Sequence, residues 1–178
     1  MRFYIIDSKP LAVCHNRRIG SNRVFADRAA RGKSSMGWFY GWKLHLVINQ
    51  YGQIVNFLLT AGNVADNNRF VLNDLLNDLQ GQCFGDRGYL TKLFADFYQR
   101  GLELVTKVRR NMKNSLMRMG DKLKLRKRRL IESVNDLLTS VLDVEHTRHL
   151  SSVNAQVNVL AGLVAYCFYD RKPSIVVP

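Results

Sequence analysis

The 178-residue chain carries 27 Lys and Arg against 14 Asp and Glu, a formal net charge of +13, with 47% hydrophobic and 10% aromatic residues. That balance excludes a disordered chain, and the length suits one domain with a sizeable core. The positive field selects polyanions as partners, nucleic acid first.

The chain opens on Arg2-Phe3-Tyr4-Ile5-Ile6-Asp7-Ser8-Lys9-Pro10. Four apolar residues running into a carboxylate and a proline read as a buried strand with a charged group at its end. Asp7 is there either as an active-site residue or as a plain turn residue, and only partners elsewhere can decide. Residues 11–40 read as a long irregular passage with Arg17, Arg18, Arg23, Arg28, Arg31 and Lys33 against Asp27. Loops of that length tend to be functional, and this one suits phosphates or is simply solvated.

Trp42 to Asn49 alternates apolar and polar residues, and Gln50-Tyr51-Gly52-Gln53 leads into a second apolar run, Ile54 to Thr60, which together predict a β-hairpin. His45, beside Lys43 on the polar face, is either substrate-facing or structural. Asn67 to Leu79 has helical spacing at Phe70, Val71, Leu72, Leu75, Leu76 and Leu79, and Asp66 stands where an N-cap belongs. Gly81 to Gly85 is a short apolar strand that again ends in an aspartate, Asp86, between glycines that permit close backbone approach. Leu90 to Arg100 reads as a helix closed by Gly101 at its C′ position, and Leu102 to Val108 as another strand.

Residues 107–129 hold eleven Lys and Arg against Asp121, with four consecutive basics at 126–129, a segment whose sign suits phosphate. Helical periodicity returns with Ile131, Val134, Leu137, Leu138, Val141 and Leu142, and Glu132 lies beside that stripe. A last apolar helix, Ser151 to Tyr169, is interrupted by Asn154, Gln156 and Asn158 and is shorter than the ~20 residues of a spanning segment, so it is expected to pack on the core. Cys14, Cys83 and Cys167 are too scattered for a disulfide framework or a zinc site and read as reduced thiols. With no signal peptide, the chain reads as a soluble, cytoplasmic protein without a membrane partner.

In this order of elements, right-handed crossovers place the fourth strand parallel to and beside the first, so Asp7 and Asp86 lie at neighbouring strand ends, with Glu132 on a later helix. Convergent carboxylates repel unless cations neutralise them, and hard oxygen ligands select Mg2+, with Mn2+ as a substitute. Two such ions suit in-line phosphoryl displacement, the chemistry of nucleases and strand transfer.

The set Ile6-Asp7-Ser8-Lys9-Pro10, Tyr40-Gly41-Trp42-Lys43-Leu44-His45, Thr60-Ala61-Gly62-Asn63-Val64-Ala65-Asp66, Gly85-Asp86-Arg87-Gly88-Tyr89 and Lys127-Arg128-Arg129-Leu130-Ile131-Glu132 resembles bacterial insertion-sequence transposases of the DDE class. The resemblance implies an α/β, RNase H-like five-stranded mixed sheet flanked by helices, with an additional C-terminal helix. It implies a single catalytic domain over residues 1–178, with the sheet core at 1–108, a basic loop at 11–40, a basic segment at 109–129 and C-terminal helices at 130–172.

It further implies Asp7, Asp86 and Glu132 as the catalytic triad and ligands of two Mg2+ ions. Arg128 matches the arginine four residues before the family's glutamate. In related transposases a tyrosine precedes that arginine by three residues and a lysine follows the glutamate by seven; here Leu125 and Thr139 stand there. The expected DNA contacts are Arg17, Arg18, Lys43, Arg87, Lys127, Arg128 and Arg129. Implied partners are double-stranded DNA, at element ends and target, and further copies of the chain assembled on it in the bacterial nucleoid, with no small-molecule cofactor. Family members usually carry a segment ahead of the catalytic domain, so a shortened reading frame or an excised domain is expected. The alternatives are a non-catalytic DNA-binding remnant and a stand-alone RNase H-like nuclease.

Overall fold

A computed structural model describes residues 2–89, 91–106, 120, 125–145 and 149–175. Its centre is a mixed sheet of six strands among the described residues: β1 (Phe3–Cys14), β2 (Ala30–Ser34), β3 (Gly37–Asn49), β4 (Ile54–Ala61), β5 (Gly81–Gly85) and β6 (Leu102–Thr106). The helices are α1 (Arg69–Leu75), α2 (Phe94–Gln99), α3 (Arg129–Ser140) and α4 (Ser152–Cys167). β1 is antiparallel to β3 and parallel to β5, and β5 is parallel to β6. Both β2 and β4 pair with β3, over its first and second halves. The fold is the expected α/β, RNase H-like type; the predicted strands are present, and β2 makes a sixth.

β2 lies in the stretch read as an irregular loop. That stretch instead completes β1 to Cys14, makes a 3-10 turn at Asn16–Ser21, and returns through β2. Pro10 does not stop β1, and the reason is the open edge beside it. β5 pairs with β1 at Phe3, Tyr4 and Ile5. Two residues on from Pro10, on the same side of the strand, the Ala12 N–H donates outward to Glu145 Oε1 at 3.3 Å. Pro10 nitrogen therefore faces an edge where no ladder bond is lost. Gly41 allows β1 and β3 to meet this closely: a Cβ there would lie 2.0 Å from the Leu11 carbonyl oxygen.

Alternation along the central strands divides the core between two faces. Ile5, Leu11, Leu44, Leu46, Ile48 and Phe84 pack with Ile131, Val134 and Leu138 of α3 and Val159, Leu163 and Tyr166 of α4. Tyr4, Ile6, Val47 and Cys83 pack on the opposite face with Val71, Leu72 and Leu75 of α1 and Phe97 of α2. Both faces are covered, which is why β1 reads as a continuous apolar run.

The helices are shorter than their periodicity suggested. α1 spans Arg69–Leu75, and its cap is Asn68, whose Oδ1 accepts from the N–H groups of Phe70 and Val71. Asp66, expected as that cap, is committed elsewhere. Gly101, with φ +86°, does follow α2 as predicted. Among the described residues no helix is long and apolar enough to cross a membrane. Cys14, Cys83 and Cys167 are free thiols, and burial pushes that of Cys83 up. Most of the basic segment, residues 107–119 and 121–124, lies outside the described residues.

Candidate active site

The register of β1 on β5 builds the site. Ile5 is opposite Phe84 in the parallel pair. Asp7 lies two residues past Ile5 on β1, Asp86 lies two past Phe84 and just beyond the end of β5, and the two are near enough for Asp86 to raise the Asp7 carboxyl. Asp7 is therefore not at the end of its strand, as its sequence suggested, but at the point where β5 stops and β1 continues paired with β3 alone. It shares the face of Ile5 and Leu11, the face that α3 covers.

α3 brings in the third carboxylate. Its buried stripe, Leu130, Ile131, Val134 and Leu138, docks on the sheet, and Glu132 in its first turn stands exposed beside that stripe. Arg128, immediately before α3, links the two carboxylates. Its guanidinium nitrogens lie 3.7 Å from Asp7 Oδ1 and 3.8 Å from Glu132 Oε1.

Burial pushes the Asp7 carboxyl up from 3.8 to about 6, Asp86 and Asp66 add to that, and Arg128 and the Ser8 N–H oppose it. Ionised Asp7 is thus held against its solvation preference, a state that a nearby cation relieves. Asp86 is exposed, and its Oδ1 accepts the Arg87 N–H at 2.6 Å. Among the described residues no three acidic, histidine or cysteine side chains are grouped closely enough to hold a metal ion.

On the opposite face, Asp66 accepts from Ser8 Oγ at 2.8 Å and pairs with Lys43 Nζ at 3.1 Å. Lys43 also donates to the Val64 carbonyl at 2.9 Å, so its ammonium, expected to meet DNA, is engaged within the protein. Gly88 backs onto Asp66, where a Cβ would stand 3.2 Å from Oδ2; the close approach anticipated for this glycine is made to the protein itself. His45 is fully buried, with Nε2 2.9 Å from Thr60 Oγ1, and burial lowers it to about 4. A ring with no exposed face favours the structural of the two roles open to it.

The remaining predicted cations lie on several elements. Arg17 and Arg18 are exposed on the 3-10 turn after β1, and Arg87 is exposed beside Asp86. Arg126 and Arg129 are exposed and Lys127 and Arg128 half-buried at the head of α3, where Leu125, Arg126, Arg128, Arg129 and Glu132 line a depression of about 410 Å³.

Sequence reasoning did not single out Lys9 or Trp38. Lys9 shares the face of Asp7, and its Nζ is 3.1 Å from Thr139 Oγ1 and 3.5 Å from the Asn135 carbonyl. An ammonium from β1 thus reaches the position where related transposases carry a lysine on the helix. Period-two alternation from Asp7 was the available signal for it. Trp38 lines, with Asp7, Lys9 and Glu132, a cleft of about 510 Å³.

Against known families, the one described as "Transposase DDE domain" matches residues 1–152. No protein with a curated description matches the chain.

Proposed function

Because the chain belongs to the transposase DDE domain family, and is thus a transposase catalytic domain, we propose that it cuts and joins the DNA of an insertion sequence with divalent metal at Asp7, Asp86 and Glu132. The observation that supports this reading is the parallel pairing of β1 with β5 just ahead of Asp7 and Asp86, together with Arg128, at the head of α3, which reaches both Asp7 and Glu132.

The donors fit hard cations: all are carboxylate oxygens, and Arg128 already serves Asp7 and Glu132 as a cationic partner. Glu132 is 55% exposed and shares the cleft with Asp7. Two Mg2+ ions, when bound, supply Lewis acidity to the attacking and leaving oxygens of an in-line displacement. Asp7 holds its place through the β1 ladder, and its carboxylate must be deprotonated to act as a ligand. Arg128, released from the two acids, is placed to take a DNA phosphate, and Arg17, Arg18, Arg87, Lys127 and Arg129 grip the backbone on either side.

In the first reaction a water oxygen attacks phosphorus at the element's end; the bond to the 3′ oxygen breaks and leaves a 3′-hydroxyl. In the second that hydroxyl attacks a target phosphodiester and expels the target's own 3′ oxygen. Copies of the chain assembled on nucleoid DNA would act on the two ends.

Nicking and strand transfer on a duplex bearing the element's terminal repeats, with Mg2+ or Mn2+, test the reading. Asp86→Asn abolishes both while leaving DNA binding intact. DNA affinity that is the same with and without Mg2+, together with no cleavage, would instead favour a non-catalytic DNA-binding domain.

A further inference from the structure

The two tryptophans have opposite fates. Trp42 is 3% exposed and donates its Nε1 hydrogen to the Arg28 carbonyl at 2.8 Å. Trp38 is 57% exposed at the tip of the β2–β3 hairpin, and it belongs to none of the core clusters among the described residues. A large ring in that place buries little apolar area, so fold stability does not account for it. Its position is nevertheless fixed. Trp38 is paired across the ladder with Lys33, Gly37 turns the hairpin tightly at φ +118°, and Asn16 Nδ2 donates to the Trp38 carbonyl at 2.7 Å.

The surroundings of the ring are basic. The Arg31 guanidinium lies 5.8 Å and the Lys33 ammonium 5.7 Å from its centroid. Through Asn16 the hairpin is tied to the 3-10 turn that carries Arg17 and Arg18. Trp38 also lines the cleft that holds Asp7 and Glu132. Trp38 is eight residues along β3 from Leu46, the partner of Asp7, a contour of at most ~26 Å that falls within one turn of duplex DNA.

We propose that Trp38 is a stacking platform for an unpaired nucleobase of the DNA strand lying in the carboxylate cleft, with Arg31 and Lys33 holding the phosphates on either side of that base. An indole face beside cations is the chemistry by which single-stranded DNA is gripped without sequence preference. The inference rests on the reading of the cleft as a DNA site. It adds that the bound DNA is locally unpaired within a turn of the reacting phosphate.

The test is binding without divalent cation, so that cleavage plays no part. The 178-residue chain is titrated with a forked oligonucleotide, duplex with a short unpaired end, and with a fully paired duplex of equal length. Because Trp42 is buried, a change in emission on binding reports Trp38, and Trp38→Phe supplies the blank. The expected result is quenching by the fork. Trp38→Leu, which keeps an apolar side chain without a stacking face, weakens fork binding roughly 10- to 100-fold and duplex binding by less than about threefold, and Trp38→Tyr restores most of the loss. Equal losses on both DNAs, or no loss on either, would overturn the proposal. Melting curves confirm that each variant is folded. Fork-selective binding that survives while metal-dependent cleavage fails would leave the platform standing and remove the transposition chemistry; cleavage with unselective binding would do the reverse.

Discussion

Replacing Asp7 with Asn should make the protein more stable at neutral pH while destroying its chemistry. Burial raises the Asp7 carboxyl from 3.8 to about 6, so the folded state binds a proton more tightly than the unfolded state does. A raised acid of this kind weakens the fold progressively as pH rises from about 4 to about 6, and the full penalty applies above that. A displacement of roughly two pH units corresponds to about 3 kcal/mol. Because Asp7 keeps 22% side-chain exposure, solvent screening reduces that figure to about 1–2 kcal/mol. Asp7→Asn carries no ionisable group and avoids the penalty. In thermal melts at pH 8 without divalent ions it should unfold roughly 2–8 °C higher than the parent, and the gap should close toward pH 4. Adding Mg2+ should stabilise the parent and leave the variant unchanged. A variant no more stable than the parent at pH 8, or a gap independent of pH, would refute the reasoning.

Arg128 favours the ionised form of Asp7, so Arg128→Ala raises that carboxyl further. The pH below which more Mg2+ is needed for nicking should move upward in Arg128→Ala and stay near its original place in Arg128→Lys. Gly41→Ala puts a Cβ 2.0 Å from the backbone oxygen of Leu11, a clash that no side-chain motion relieves. It should lose about 3–5 kcal/mol in denaturant unfolding, while Gly20→Ala, which meets nothing within 4 Å, stays within about 0.5 kcal/mol. Neutralising Arg126, Lys127 and Arg129 together should flatten the dependence of DNA affinity on salt, by roughly one unit of log–log slope for each phosphate that these side chains neutralise.

Much of this architecture was legible because the central strands are buried on both faces and therefore read as unbroken apolar runs. Phe3 to Ile6, the β3–β4 hairpin, the strand ending before Asp86 and the stripe of α3 all follow from periodicity. The parallel pairing of β1 with β5 followed from the handedness of the crossovers. β2 was not legible: its sequence, Ala-Arg-Gly-Lys-Ser, is polar, and what makes it a strand is the extended start of β3 alongside it. Pro10 read as a terminator because sequence does not reveal which edge of a strand lies open. Asp66 and Asn68 are both good caps by chemistry, and Ser8 and Lys43, distant in sequence, draw Asp66 away. Trp38 sits in a stretch whose arginines dominated the reading, and its exposure is a property of the hairpin tip alone.

The most direct test of the central claim is the Mg2+-dependent reaction of the parent and Asp86→Asn on one duplex carrying the element's terminal repeat and flanking DNA, with binding measured alongside. The parent should produce a nick that leaves a 3′-hydroxyl and transfer it to target DNA, and the variant should give neither product while binding the same duplex equally well. Nicking or strand transfer that persists in Asp86→Asn would contradict a metal site built on Asp7, Asp86 and Glu132.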